Sequence, residues 1–224
     1  MKSIKRIVRN AHQHWVGDGF PVRSLFTYAN YSDFDPFLLL DYAGPHLFAP
    51  ATHPRGVGEH PHRGFETVTI VFQGELEHRD SSGSHGSIEA GDVQWMTAAS
   101  GVVHEEYHGE RFTRTGGTLE MIQLWVNLRS SKKMSQPRYQ SIRKAQIPNV
   151  AFPNALVEGR VIAGDLLGIT GPAQTLSPIN VWDLRFAASG AAELRIPDGH
   201  TPLIVVQSGN ITTNDASLLP QELA

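Results

Sequence analysis

The 224-residue chain contains no cysteine, and this absence excludes several classes of protein at once. Without thiols there are no disulfides, no thiolate zinc sites, no cysteine-bound iron–sulfur clusters and no cysteine nucleophile. Any bound metal ion must therefore be held by nitrogen and oxygen atoms.

Long apolar runs and blocks of positive charge are also missing. No stretch approaches the ~20 consecutive apolar residues of a membrane-spanning helix, and the charged N-terminus lacks the apolar run of a signal peptide. The formal net charge is −3 with neutral histidine, and no basic block exceeds a pair such as Lys132 and Lys133. We therefore expect a cytoplasmic protein that binds neither membranes nor nucleic acid directly.

Turn-forming residues, by contrast, are frequent, with 21 Gly and 14 Pro spread along the chain. This spacing is typical of many short strands rather than of a helical bundle. Thr67 and Thr69 alternate with Val68 and Ile70, which is the period of two that a β-strand requires. The sequence therefore predicts an all-β protein, and its length allows one large β domain or two smaller ones.

Other apolar segments bounded by turn residues indicate further strands along the chain. The main ones are residues 24–28, 36–42, 75–79, 93–97, 102–108, 119–128, 157–167, 179–187, 192–196 and 203–207.

Histidine is unevenly distributed, because eight of the 11 lie between His46 and His108. Histidine is the commonest metal ligand and a frequent acid–base group. His60 and His62 are two residues apart, as are His104 and Glu106, so each pair shares one face of a strand. If the two strands line a common barrel, the pairs can converge on one metal ion. His78 is left undecided between a supporting and a structural role.

Two carboxylates compete for the position of fourth ligand. Glu66 has the parity of His60 and His62 if their strand is continuous, although a bulge at Gly64 would shift its register. Glu106 follows His104 by two residues. Either carboxylate completes a set of three His and one Glu, which leaves an octahedral ion two positions for substrate and O₂.

At these residues the sequence resembles the pirin family of the cupin superfamily. A first cupin-like motif contains His60, His62, Glu66 and Gly74, and a second contains Gly91, Gly101 and His104. Ala99 stands where the second motif usually has proline. Segments that are similar to pirins specifically are residues 21–26, 35–41, 60–68, 91–98 and 123–128. The resemblance covers roughly residues 5–210.

This resemblance implies a bicupin, which is an all-β chain of two jelly-roll barrels. Residues 1–131 would form an N-terminal metal-binding domain, residues 132–154 a linker, and residues 155–224 a metal-free C-terminal domain. The C-terminal region contains only His200 and cannot repeat the site. Because pirins continue further after the segment that matches residues 203–211, we expect the second barrel to be incomplete, open and less stable.

The resemblance also implies a ligand set of His60, His62, His104 and Glu106. It favours Glu106 over Glu66, which would then lie on the inner face beside the site. The expected ion is Fe(II), with Ni, Co, Mn and Zn as other divalent choices.

The activity implied is that of a pirin-like quercetinase, a dioxygenase that cleaves flavonols such as quercetin with O₂. Glu106 or Glu66 would accept the proton of the flavonol hydroxyl. Two alternatives remain open, since a fold and a ligand set do not dictate a reaction. One is an iron-binding, redox-sensing regulatory protein that acts through protein partners, and the other is a different small-molecule cupin enzyme.

Overall fold

A computed structural model describes residues 2–153, 155–213 and 216–224. Regular structure within these ranges is nearly all β, as the sequence predicts. The strands are β1 (Gln13–Val16), β2 (Phe20–Phe26), β3 (Phe37–Phe48), β4 (Gly56–His62), β5 (Phe65–Gln73), β6 (Glu75–Asp80), β7 (His85–Glu89), β8 (Val93–Thr97), β9 (Val102–His108), β10 (Gly117–Asn127), β11 (Arg138–Ile142), β12 (Asn149–Ala151), β13 (Val157–Ala163), β14 (Asp165–Leu166), β15 (Ile169–Thr170), β16 (Val181–Phe186), β17 (Ile211–Thr212) and β18 (Ser217–Leu218).

Helical structure is limited to short segments. The α-helix α1 spans Glu110–Thr115, and 3-10 turns span Tyr28–Asp33, Ser130–Lys132 and Lys144–Gln146. Among the residues that the structure describes, no helix is long and apolar enough to cross a membrane.

Two antiparallel sheets form the N-terminal part. One has seven strands in the order β1-β2-β3-β10-β5-β8-β11, and the other has four in the order β4-β9-β6-β7. This strand order is typical of a jelly roll, in which two sheets pack face to face. One end of the space between them is filled by an apolar cluster, the N-terminal core. Its buried members are Phe20, Val22, Ala43, Phe48, Val71, Leu76, Ile88, Phe112, Leu119 and Met121.

The seven-stranded sheet is buried on both faces. Along β5, Thr67 and Thr69 lie on the face toward the four-stranded sheet, whereas Val68 and Ile70 lie on the opposite face. That opposite face packs against C-terminal residues and forms a second cluster, the shared core. Its buried members are Leu25, Phe26, Phe34, Phe37, Leu40, Tyr42, Val68, Ile70, Val93, Trp95, Ile122, Leu124, Val126, Ile142, Ile147, Ile162, Ala163, Ile179 and Leu223.

The C-terminal part has much less paired strand. It contains a three-stranded sheet, β12-β13-β16, and the two-residue ladders β14–β15 and β17–β18, and no barrel closes among its described residues. Its own apolar cluster, the C-terminal core, has only four buried members: Phe152, Val157, Val161 and Leu166.

Two of the predicted C-terminal strands are absent, so these predictions were wrong. Residues 192–196 have no strand pairing, and within residues 203–207 only Val205 forms an isolated bridge, to Leu223. An apolar segment becomes a strand only when a neighbouring strand offers backbone partners. Residues 192–196 instead lay Ala192 and Leu194 against the C-terminal core.

The segment expected to be a linker, residues 132–154, is built into both parts of the fold. β11 completes the edge of the seven-stranded sheet, with Tyr139 opposite Met96 of β8. β12 pairs with β13 in the C-terminal sheet. The segment is therefore more than a linker, although Asn154 lies outside the described residues.

A turn at Gly64 separates β4 from β5. Gly64 has a φ of +85°, a left-handed conformation that favours glycine. The turn sends β4 into the four-stranded sheet and β5 into the seven-stranded sheet. A continuous strand through this segment, which the parity argument assumed, is therefore not formed.

Candidate metal centre

Three predicted histidines meet between the two N-terminal sheets. β4 and β9 are antiparallel neighbours, and their register places His60 directly opposite His104. The ring centroids are 4.3 Å apart for His60 and His104, 4.7 Å for His62 and His104, and 4.8 Å for His60 and His62. One ring nitrogen of each histidine lies within 4.8 Å of the others. This is the convergence that the spacing of the two pairs predicts.

The buried histidines of this cluster are neutral at physiological pH. Burial, together with the neighbouring imidazoles of His104 and His60, lowers the pKa of His62 to about 3. Burial likewise lowers the pKa of His104 to about 3, again with His60 contributing. A neutral imidazole keeps a lone pair on one ring nitrogen, as a metal ligand must.

Two of the rings have an identifiable nitrogen available to a ligand. The His60 Nδ1–H donates to the carbonyl oxygen of Gly58 at 2.8 Å, so its lone pair lies on Nε2. His104 is 1% exposed, and its Nε2 has no hydrogen-bond partner among the described residues. An unsatisfied buried nitrogen costs about 1–3 kcal/mol. A cation bound at His104 Nε2 would remove that cost.

Glu106 supplies the carboxylate of the cluster. It is 6% exposed, and it joins His104 and His78 in a second group of ligand atoms within 4.8 Å of one another. Its Oε1 accepts a hydrogen bond from Gln94 Nε2 at 3.0 Å, and its Oε2 accepts one from Gln123 Nε2 at 3.2 Å. The two groups share His104, so Glu106 is connected to His60 and His62 through that residue.

Glu66 lies elsewhere, so the prediction that it borders the site was wrong. The turn at Gly64 places it on the shared-core face of β5, and it belongs to neither group of candidate ligands among the described residues. It is fully buried, and its Oε1 accepts a hydrogen bond from Thr97 Oγ1 at 2.6 Å. Burial raises the pKa of Glu66 above its ordinary value.

An aromatic pair stands beside the cluster. Phe65 and Trp125 stack with centroids 4.6 Å apart, and the His62 ring lies 5.1 Å from the first and 5.0 Å from the second. His60 is partly exposed while His62 and His104 are buried, so solvent reaches the cluster from the β4 side. The arrangement provides an apolar wall next to the exposed edge of the candidate centre.

Sequence reasoning left His78 undecided and missed Tyr139. The two rings stack with centroids 4.7 Å apart, and the Tyr139 hydroxyl donates to Gln94 Oε1 at 3.3 Å. Burial raises the pKa of Tyr139 to about 12, which keeps this hydroxyl a donor. Only the pairing of β11 with β8 brings Tyr139 here, and no local sequence signal shows that pairing.

His108 shares the parity of His104 and Glu106 but belongs to a different environment. It packs against Phe20 and Phe48 of the N-terminal core, and its Nε2 is 2.9 Å from the carbonyl oxygen of Gly19. Its role is therefore structural.

The residues present fit a divalent metal ion. Three imidazole nitrogens and one carboxylate oxygen suit a first-row metal, and the absence of thiolates separates the site from closed structural zinc sites. The unpartnered His104 Nε2 points to a ligand that accepts a lone pair. Partial exposure at His60 leaves space on the ion for a small molecule.

Comparison with known proteins gives consistent matches. A sequence model of the family described as Pirin matches residues 19–126. A Pseudomonas aeruginosa protein named "Putative quercetin 2,3-dioxygenase PA2418" is 57% identical over 225 residues, which cover 100% of this chain and 79% of that protein. Pirin-1 of Arabidopsis thaliana is 36% identical over 207 residues, which cover 92% of this chain and 67% of that protein.

A solved structure shows the same fold. The crystal structure of a quercetin 2,3-dioxygenase from Acinetobacter baumannii matches with a TM-score of 0.94 at 50% identity, covering 100% of this chain and 78% of that one. The share covered varies among the curated relatives and falls to 52% for Pirin-like protein 2 of Arabidopsis thaliana.

Proposed function

This chain belongs to the pirin family, and from that premise we propose that it is a mononuclear metal dioxygenase that cleaves flavonols such as quercetin with O₂. The observation that carries the proposal is the cluster of three histidines with the buried, unpartnered Nε2 of His104. The names of the Pseudomonas and Acinetobacter relatives support the reaction class.

In this proposal, His60, His62, His104 and Glu106 hold the ion, which is Fe(II) or another of Ni, Co, Mn and Zn. The bound ion supplies Lewis acidity toward the flavonol hydroxyl and a position for O₂. Two of the proposed ligands, His62 and His104, need no deprotonation near neutral pH, since their pKa values are already low.

Glu106 is the proposed acceptor of the proton of the flavonol 3-hydroxyl. Each carboxylate oxygen has two lone pairs, so the bonds from Gln94 and Gln123 leave capacity to accept a further proton. The Gln123 amide is itself oriented, because Thr69 Oγ1 donates to its Oε1 at 2.9 Å. These contacts hold the base in a single orientation, which general base catalysis requires. Glu66 has no part in this step.

Phe65 and Trp125 are the proposed wall for the flat rings of the substrate. Their stacked faces adjoin His62, and both are partly exposed, so an aromatic molecule that enters beside His60 can lie against them. Fixing the substrate next to its base turns an encounter in solution into a step within one complex.

The test is to load metal-free protein with Fe(II), Ni(II), Co(II) or Mn(II) and to measure O₂ uptake and CO release with quercetin. We expect turnover with at least one metal and its loss in His62→Ala. The exposed His85 of β7 provides a control, and His85→Ala is expected to behave as wild type. No turnover with any of these metals would reject the activity, and full turnover in His62→Ala would reject the site. Redox-dependent capture of a protein partner without turnover would favour the regulatory alternative instead.

A further inference from the structure

His78 contacts Nδ1 of His104, whereas the candidate ligand atom of that ring is Nε2. The Nδ1 atoms of His78 and His104 are 3.2 Å apart, whereas His104 Nε2 faces away from this contact and has no partner. The two rings are both buried. One of the two Nδ1 atoms must carry the proton that they share, and the surrounding hydrogen bonds decide which.

Asp80 fixes the proton of His78. Its Oδ2 lies 3.0 Å from His78 Nε2, and a carboxylate oxygen can only accept, so Nε2 carries the proton. Asp80 is itself held, since its Oδ1 accepts hydrogen bonds from the backbone N–H groups of Ser82 at 2.8 Å and Ser84 at 3.1 Å. With this proton on Nε2, the His78 ring presents Nδ1 as the acceptor.

Gln94 agrees with this assignment. Its Nε2 donates to Glu106 Oε1 at 3.0 Å and lies 3.4 Å from His78 Nδ1, while its Oε1 accepts from the Tyr139 hydroxyl. An amide NH₂ group can only donate, so His78 Nδ1 must accept. Two independent neighbours of His78 therefore specify the same tautomer.

We propose that Asp80 and His78 are positioning residues that fix the tautomer of His104. Because His78 Nδ1 accepts, His104 Nδ1 carries its proton, and the lone pair of His104 is placed on Nε2, the nitrogen without a partner among the described residues. Hydrogen bonds of this kind orient metal-binding histidines and make them better ligands. The inference rests on the metal site of the proposed function but does not depend on the dioxygenase reaction.

The sheet itself supplies the alignment. In the antiparallel pairing of β6 with β9, Asp80 lies opposite His104 and His78 lies opposite Glu106. Tyr139 stacks on His78 from β11 and limits its rotation. The residues that fix the His104 tautomer therefore come from strands of both sheets.

Asp80→Asn tests the proposal. The Asn carbonyl oxygen can keep the bonds from Ser82 and Ser84, and its NH₂ group then faces His78 Nε2, which must become an acceptor. The proton of His78 moves to Nδ1, and His104 must place its own proton on Nε2, where the metal would bind. We expect the affinity of the metal-free protein for Ni²⁺, measured by calorimetry, to fall about 10- to 100-fold.

A second readout separates positioning from general damage. In ¹⁵N spectra of metal-free protein, His104 should change from the Nδ1–H to the Nε2–H tautomer in Asp80→Asn. The matched control is Asp92→Asn, because the Asp92 side chain is 2% exposed, like that of Asp80, but pairs with Arg143 and the backbone N–H of Lys144. This control is expected to lose stability and to bind Ni²⁺ as wild type does.

A double variant shows whether Asp80 acts through His78. In His78→Gln, the amide oxygen can accept from His104 Nδ1 whatever residue stands at position 80. Adding Asp80→Asn to that background should change the Ni²⁺ affinity by less than about twofold. The proposal is overturned if Asp80→Asn binds Ni²⁺ like wild type, if its tautomer is unchanged, or if Asp92→Asn weakens binding equally. Normal Ni²⁺ binding by wild type without quercetin turnover would count against the proposed function alone.

Discussion

The N-terminal and C-terminal parts of this molecule differ in how much strand pairing surrounds their interiors. Seven and four strands enclose the histidine cluster, whereas the C-terminal sheet has three strands and a core of four buried residues. Buried polar groups such as His62, His104 and Glu106 must be fixed by hydrogen bonds from several directions. The N-terminal part provides hydrogen-bond donors to this cluster from several strands, which accounts for the position of the candidate site.

The two parts are nevertheless joined through the shared core. Ile162 and Ile179 of the C-terminal part pack with Val68 and Trp95 on the outer face of the seven-stranded sheet. Polar contacts reinforce this packing, because the Arg160 side chain donates to the carbonyl oxygen of Gly91 at 2.8 Å. The C-terminal part is therefore stabilised mainly by the sheet it covers rather than by its own core.

The largest single effect should come from truncating a leucine in the N-terminal part, with a leucine of the C-terminal part truncated for comparison. Leu119→Ala opens a cavity in the N-terminal core, where the side chain is fully buried, and should lower the free energy of unfolding by about 4 kcal/mol. Leu166→Ala, in the smaller C-terminal core with its partly exposed neighbours, should cost only about 2 kcal/mol. Urea unfolding of both variants measures the difference, and equal losses would contradict the comparison.

The affinity for a metal ion should also differ between variants of the two parts. His104→Ala removes a proposed ligand and should weaken Ni²⁺ binding by at least about 100-fold, or about 2.7 kcal/mol. His200→Ala removes the one histidine of residues 155–224 and should leave the affinity unchanged. Calorimetric titration of both metal-free variants is the measurement. Equal binding by the two would show that the cluster is not the metal site.

Amide exchange should show a smaller, local contrast. The central strands β5 and β10 pair on both sides, whereas β14 and β15 form a ladder of two residues each. Local opening requires less free energy where few contacts are broken, so amides of β14 and β15 should exchange at least about tenfold faster. Exchange measured by mass spectrometry or NMR tests this, and uniform protection across both parts would refute it.

Glu66, at the boundary between the two parts, should give the smallest effect. Burial raises its pKa above the ordinary value of 4.5, so the folded protein binds this proton more tightly than the unfolded chain does. The stability from that proton is present below pH 4.5 and is lost as pH rises through the folded pKa. Glu66→Gln should therefore unfold at a higher temperature than wild type at pH 7, with a difference that shrinks toward pH 4.5. A constant difference across this range would exclude titration of Glu66 as its cause.

The sequence predicts most of the site because its chemistry lies in short spacings. The two pairs, His60 with His62 and His104 with Glu106, can be read from local alternation, and the structure brings them together. Most of the strands from β2 to β10 were predicted for the same reason, whereas β1 and β11 were not. Local alternation could not show that the chain passes from the four-stranded to the seven-stranded sheet at Gly64, so the predicted position of Glu66 was wrong.

What the sequence could not supply depends on pairing between distant segments. His78 and Tyr139 adjoin the cluster only because β6 pairs with β9 and β11 pairs with β8. The absence of a strand at residues 192–196 has the same explanation. The apolar character of this segment can be seen in the sequence, but whether another segment offers it backbone hydrogen bonds cannot. The tendency of a segment to form a strand could be predicted from the sequence, but the strand that it pairs with could not.

The two faces of β5 have a practical consequence for protein engineering. Thr67 and Thr69 face the metal cluster, and the intervening Val68 faces the shared core. A mutagenesis library that varies every second position of β5 would therefore diversify the side chains on the cluster side of the sheet while leaving the contact between the two parts intact. A library that randomises consecutive positions would also change Val68 in the shared core, and many of its variants would lose stability.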